Sequence, residues 1–289
     1  MQLCLRKFDP SKMKDAATCV VLGKRNTGKS VLTKDIMWHK RDRIPAGVVF
    51  SATEEGNSFY SDWVPPTFVY SNFDRDALQG VIDTQKKRKK EGTASNLFLI
   101  LDDCMYDKKL LKDTSMRMLF MNGRHWKFFL LLTAQYCGDI GPDIRSNIDY
   151  VFLLRNNIPN ERDKLYKNFL GMMPSFASFC QLMDNTTNDY ECLVLDNTSC
   201  SNNLEDCLFW YKANPARPAF RMGAPSFWRF HSDHYDPGKE DGAGAARDPR
   251  RGAYGGPPAA RPCLTVTKLS PGAGRHKRGK RKNKNVGAR

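Results

Sequence analysis

At 289 residues, 40% of them hydrophobic, the chain is long enough to bury a real core, and its length suits one folded domain with an appendage. Nine cysteines, an odd number with several inside apolar runs, argue against a secreted protein, and the apolar stretches fall well short of the roughly 20 residues of a membrane-spanning helix. A formal charge of +15 makes a polyanionic partner physically reasonable, and 14 Lys and Arg against 4 Asp and Glu after residue 235 place +10 of that charge in the tail.

In chain order, short apolar runs of strand length alternate with segments of helical length and composition. This is the pattern of buried parallel strands joined by crossover helices. The first strand is expected at 18–22. It runs straight into Gly23-Lys24-Arg25-Asn26-Thr27-Gly28-Lys29-Ser30, a complete G-x-x-x-x-G-K-[ST] loop, and a helix over 29–39 opens behind it with Val31 in its first turn. Gly23 and Gly28 permit the turns that bring main-chain N–H groups onto a β-phosphate, and the helix amino end adds its partial positive charge. Lys29 is placed to reach the β- and γ-phosphates, and the Ser30 hydroxyl to ligate Mg2+.

A second strand is expected at 47–51 and a helix at 75–90. That helix ends in Gln85-Lys86-Lys87-Arg88-Lys89-Lys90, cations that suit a helix carboxyl end and that also offer a phosphate-contacting surface. The strand at 97–101 ends in Asp102-Asp103, a Walker B pattern: Asp102 for the Mg2+ shell, Asp103 to orient and deprotonate the attacking water. Two adjacent carboxylates closing a buried run are costly without a compensating cation or hydrogen bonds. A helix over 108–122 follows, then a strand at 127–133 that closes on Gln135, a residue suited to sensing the γ-phosphate or positioning water. Phosphoryl transfer is commonly assisted by an arginine from a neighbouring subunit; Arg145 is the first candidate and Arg124 the second, each with a surface ion pair as the alternative.

A strand at 150–154 and a helix at 160–170 complete the regular pattern. The segment 171–230 is less regular, with short strands expected at 190–195 and 207–211. The predicted fold is α/β: a doubly wound, mostly parallel sheet with helices on both faces, over a domain spanning 1–235. Beyond it, 236–289 is rich in Gly, Pro, Arg and Lys and expected to be a disordered basic tail. Its run from His276 to Lys284 reads as an import signal, a nucleic-acid arm or a solvated charge cluster. Cys200, Cys207, His231 and His234 lack a usual zinc spacing.

Taken together, Val20 to Leu32, Leu101-Asp102-Asp103-Cys104, Gly123-Arg124-His125, Thr133-Ala134-Gln135-Tyr136 and Pro142 to Phe152 resemble one family. It is the DNA-packaging ATPases of nucleocytoplasmic large DNA viruses, in the FtsK–HerA branch of P-loop NTPases. The resemblance spans roughly residues 8–230 and implies a RecA/FtsK-like core that binds ATP and Mg2+. It further implies a homo-oligomeric ring, with nucleotide between neighbours, that drives double-stranded DNA into a preformed capsid. Capsid or viral membrane proteins are further candidate partners, and the implied location is the infected-cell cytoplasm or nucleus, or the virion. Family members commonly carry Glu where this chain has Asp103, one methylene shorter. Alternatives from the residues are a helicase or chromosome-type translocase, a nucleotide switch, and a non-motor DNA-binding protein that uses nucleotide only for stability. The switch lacks the guanine-reading [NT]-K-x-D sequence.

Overall fold

Runs of Val, Leu, Ile and Phe fix the strands, because each can be buried on both sides only by joining one sheet covered by helices on two faces. The structure, a computed structural model, describes residues 3–104 and 110–235. Its strands are β1 (Arg6–Lys7), β2 (Thr18–Leu22), β3 (Ala46–Ser51), β4 (Val69–Tyr70), β5 (Leu97–Asp102), β6 (Phe128–Ala134), β7 (Tyr150–Leu153), β8 (Glu191–Asp196) and β9 (Leu208–Lys212). They form one sheet in the order β1-β9-β8-β7-β2-β6-β5-β3-β4. Only β8 is antiparallel to its neighbours β7 and β9; the other pairings are parallel.

The helices are α1 (Lys29–Lys40), α2 (Glu54–Asn57), α3 (Arg75–Lys90), α4 (Thr114–Asn122), α5 (Pro142–Arg145), α6 (Pro159–Phe169), α7 (Phe176–Thr186), α8 (Leu204–Cys207) and α9 (Pro225–His234). Alternate strand residues divide between two cores, as the period of two requires. Val20, Leu99, Leu101, Leu130 and Val151 pack with Leu78 and Ile82 of α3, Leu119 of α4, Leu165 of α6 and Phe179 of α7. Val21, Ile100, Leu131 and Phe152 pack with Leu32 and Ile36 of α1 and with Phe227 of α9. Helices therefore cover both faces, and the strands β2, β6 and β7 are buried at every position.

The expected α/β architecture is present, with adjustments. The helix expected over 108–122 is described as α4, starting at Thr114, because Asp113 takes an extended conformation and its side chain caps the Ser115 amide. Residues 105–109 lie outside the described set. The segment 171–230 is more regular than its sequence suggests: it holds α7, capped by Ser175, and α9 besides β8 and β9. The two-residue edge strands β1 and β4 carry no periodic signal. The expected tail, 236–289, and its basic run lie outside the described residues. Among those described, no helix is long and apolar enough to cross a membrane.

Candidate functional site

At the carboxyl edge of the sheet β2 gives way to the loop 23–30. The Gly23 amide donates to the Ala134 carbonyl at the end of β6 (3.1 Å). A Cβ on Gly23 would lie 2.6 Å from Thr27 Oγ1 and 2.8 Å from Leu154 Cβ, so the turn admits no side chain. Asn26 (φ 62°) and Gly28 (φ 96°) take the left-handed conformation that curls the loop over the amino end of α1. The Thr27 hydroxyl ties the curl by donating to the Lys24 carbonyl (2.7 Å). Lys29 is buried, and its ammonium donates to the carbonyls of Gly23 (3.1 Å) and Lys24 (3.3 Å).

Two strands away β5 delivers Asp102, which is 3% exposed. The Thr133 hydroxyl of β6 donates to Asp102 Oδ1 (2.6 Å) and the Ser51 hydroxyl of β3 approaches Oδ2 (3.4 Å). Burial raises the Asp102 carboxyl above its ordinary value and the neighbouring Asp103 charge adds to the rise; the Thr133 hydrogen bond, the nearby Tyr60 hydroxyl and the Lys29 ammonium pull it back. The buried Tyr60 hydroxyl has no hydrogen bond of ordinary geometry. Burial first, then the Asp102 charge, pushes its phenol well up.

Asp103 is held in the left-handed region (φ 49°), its amide donating to Thr133 Oγ1 (3.0 Å). Its carboxylate is 3.8 Å from the Lys29 ammonium and accepts from the Gln135 amide at 3.4 Å. The fold thus brings Lys29, Asp103 and Gln135 together from three strand ends. Ser30, Val31, Asp102 and Asp103 line one cleft of about 670 Å3 with Arg25, Asn26, Gly28 and Lys29. Lys24 turns the other way, donating to Asn157 Oδ1 (3.0 Å), and with Thr27 borders a smaller adjoining cavity.

The two arginine candidates lie elsewhere in the chain. Arg124 precedes β6, at the opposite edge of the sheet, and pairs with buried Asp149 (2.9 Å), which also accepts the Thr18 amide (2.8 Å). Arg145 ends α5 and donates to the Ile140 carbonyl (2.6 Å). In the cationic run, Gln85 is buried and bonded to the Ser95 and Trp126 carbonyls, Lys86 lies over the Trp126 ring, and Lys87, Arg88, Lys89 and Lys90 are exposed. Cys200 lies between β8 and α8 and Cys207 ends α8, while His231 and His234 belong to α9. Sequence reasoning missed Thr53, Asn57 and Tyr190 in the cleft lining and Ser51 and Tyr60 beside Asp102, and gave Thr133 no role although it is the last residue but one of an apolar strand, two before Gln135.

No family model matches the chain. It is 39% identical over 214 residues to the uncharacterized protein 015R of Frog virus 3 (isolate Goorha), covering 73% of this chain and 66% of that protein. It is 35% identical over 243 residues to the uncharacterized protein L437 of Acanthamoeba polyphaga mimivirus, covering 81% of this chain and 84% of that one. The chain belongs to this family of nucleocytoplasmic large DNA virus proteins. Another of its members, the uncharacterized protein 075L of Invertebrate iridescent virus 6, is 36% identical over 221 residues, 75% of this chain and 85% of that protein.

Solved structures share the α/β fold of this chain. The genome packaging NTPase B204 of Sulfolobus turreted icosahedral virus 2 in complex with ATP-gammaS superposes with a TM-score of 0.52 at 20% identity, over 69% of this chain and 98% of that one. The same protein in complex with AMP gives 0.54 at 17% identity, over 70% and 100%.

Proposed function

We propose that this protein is an ATP-hydrolysing motor that moves double-stranded viral DNA into a capsid. One observation carries the reading: the Lys29 ammonium and the Asp103 carboxylate, 74 residues apart in sequence, stand 3.8 Å apart above the carboxyl edge of the sheet, in one cleft with Ser30 and Asp102. The likeness to a viral genome packaging NTPase supports the same reading at the level of the fold.

The residues present fit a nucleoside triphosphate with a divalent cation. Loop 23–30 offers main-chain amides and the helix amino end of α1, while Lys29 donates to carbonyl oxygens that a phosphate can replace and faces the Asp103 carboxylate. Asp102 is a buried carboxylate that accepts from the Thr133 and Ser51 hydroxyls and has room for a cation on the cleft side. Ser30 and Asp102 would hold Mg2+, which supplies neutralisation of the charge on the β- and γ-phosphate oxygens. Asp103 orients the attacking water and takes its proton on a carboxylate oxygen, and Gln135, bonded to that carboxylate, fixes its direction. Arg145, or Arg124, would enter a neighbouring subunit's site in a ring, where it stabilises charge developing on the transferred phosphoryl group.

The test is ATP hydrolysis by the full chain with and without duplex DNA. A motor gives Mg2+-dependent turnover that rises with duplex. Slow turnover indifferent to DNA would instead mark a nucleotide-stabilised binding protein, and unwinding of a forked duplex would mark a helicase.

A further inference from the structure

The nucleotide's other end has no assigned place among the residues above. Beside the main cleft lies a second cavity of about 350 Å3, bordered by Lys24, Thr27, Arg155, Asn157, Asp189 and Tyr190. Arg25, Asn26 and Tyr190 line both cavities, which therefore adjoin. The topology explains this position. β8 opposes β7, so its start, and the turn that precedes it, reach the carboxyl edge where the loop 23–30 emerges.

That turn is held in an unfavourable shape. Asp189 (φ 50°) and Tyr190 (φ 62°) are consecutive left-handed residues without a glycine, a conformation that persists only where its surroundings enforce it. The Asp189 carboxylate is fastened to Lys212 on β9. The result is a large aromatic side chain, 65% exposed, poised over the loop: a Cβ on Gly28 would lie 3.2 Å from Tyr190 Cδ1. Exposed aromatics normally bury themselves, whereas this one is presented as a flat wall with Arg155 at the rim of the same cavity. Asn157 at that rim keeps its amide nitrogen for a further acceptor, its oxygen being bonded to Lys24.

We infer that this smaller cavity takes the nucleoside end of the nucleoside triphosphate, with the Tyr190 ring as the platform on which the base stacks. The inference rests on the proposed function, since it presumes that the triphosphate lies on loop 23–30. A base on an aromatic ring is recognised by its face, and every base has one. The strained turn supplies pre-organisation: the ring is in place before ligand arrives, so little ordering is charged against binding.

The test is calorimetric titration of the full chain with ATP and with inorganic tripolyphosphate, each with Mg2+. The wild-type protein should bind ATP more tightly than tripolyphosphate. Tyr190→Ala should weaken ATP by roughly 10- to 100-fold, the span of base–aromatic stacking, and leave tripolyphosphate affinity as it was. Tyr190→Phe should bind ATP as the wild type does, because the ring face is retained. Unchanged ATP affinity in Tyr190→Ala, or equal losses for both ligands, would overturn the inference while leaving the proposed function standing. A wild-type protein that takes neither ligand overturns both.

Discussion

Asp102 and Asp103 are neighbours in sequence with opposite environments, and their roles follow from that difference. Asp102 is sealed between β3 and β6, whereas Asp103 rotates out through a left-handed backbone to face Lys29 and Gln135. Replacing Asp103 with Asn keeps the side chain's shape but removes the charge facing Lys29 and the proton acceptor, so ATP binding should survive while hydrolysis falls by roughly 100- to 10,000-fold; steady-state turnover beside an equilibrium ATP titration checks it. On the proposed function Lys29 meets the phosphates, so for Lys29→Ala the same titration should show ATP binding lost. Asp102 makes a different prediction. Its folded-state carboxyl sits above the ordinary 3.8, so its contribution to stability is present below that value and lost as pH rises through the folded value. At neutral pH the ionised group weighs against the fold when nothing compensates it. Asp102→Asn should therefore raise the melting temperature of nucleotide-free protein at pH 7, with the gain shrinking in acid. Calorimetry at two pH values decides the matter, and a variant that melts below wild type at pH 7 would show that the Asp102 charge stabilises the empty site.

Strands dominated by large apolar residues were legible because burial on both faces favours that composition: β2 was expected at 18–22 and occupies Thr18–Leu22. Helix α3 was equally plain, occupying Arg75–Lys90. Elements that owe their existence to pairing rather than pattern were not legible. β1 is two charged residues held by β9, and β4 two residues held by β3. The site divides along the same line. Lys29, Asp102, Asp103 and Gln135 could be read because each closes or opens a strongly patterned element, while Tyr190 lies 160 positions downstream of Ser30 and reaches the loop only through the reversed direction of β8. Element packing also singles out Gly47 on β3, where a Cβ would stand 2.2 Å from the Phe98 ring on β5. Because Phe98 is fully buried and cannot swing away, Gly47→Ala should cost about 1–3 kcal/mol in urea unfolding, with ATP affinity of the folded protein unchanged.

At the scale of the whole molecule, charge and chemistry occupy different places. The candidate nucleotide cleft lies at the carboxyl edge of the sheet, whereas the exposed cations Lys87, Arg88, Lys89 and Lys90 end α3 just ahead of β5, at the amino edge. Most of the net charge lies beyond residue 235. On the proposed function, contacts that hold phosphates without reading bases are needed, and clustered cations after residue 235 are candidates to supply them. The run from Lys277 to Lys284 has six cations, so if all six met duplex phosphates they would contribute about −5.4 to the slope of log affinity against log salt. A chain ending at Tyr235 should therefore bind duplex DNA more weakly at low salt, with a shallower salt dependence, while its DNA-independent ATP hydrolysis matches the full chain. Equal slopes for the two chains would remove the tail from the DNA interface and leave the α3 cations as the surface to mutate next.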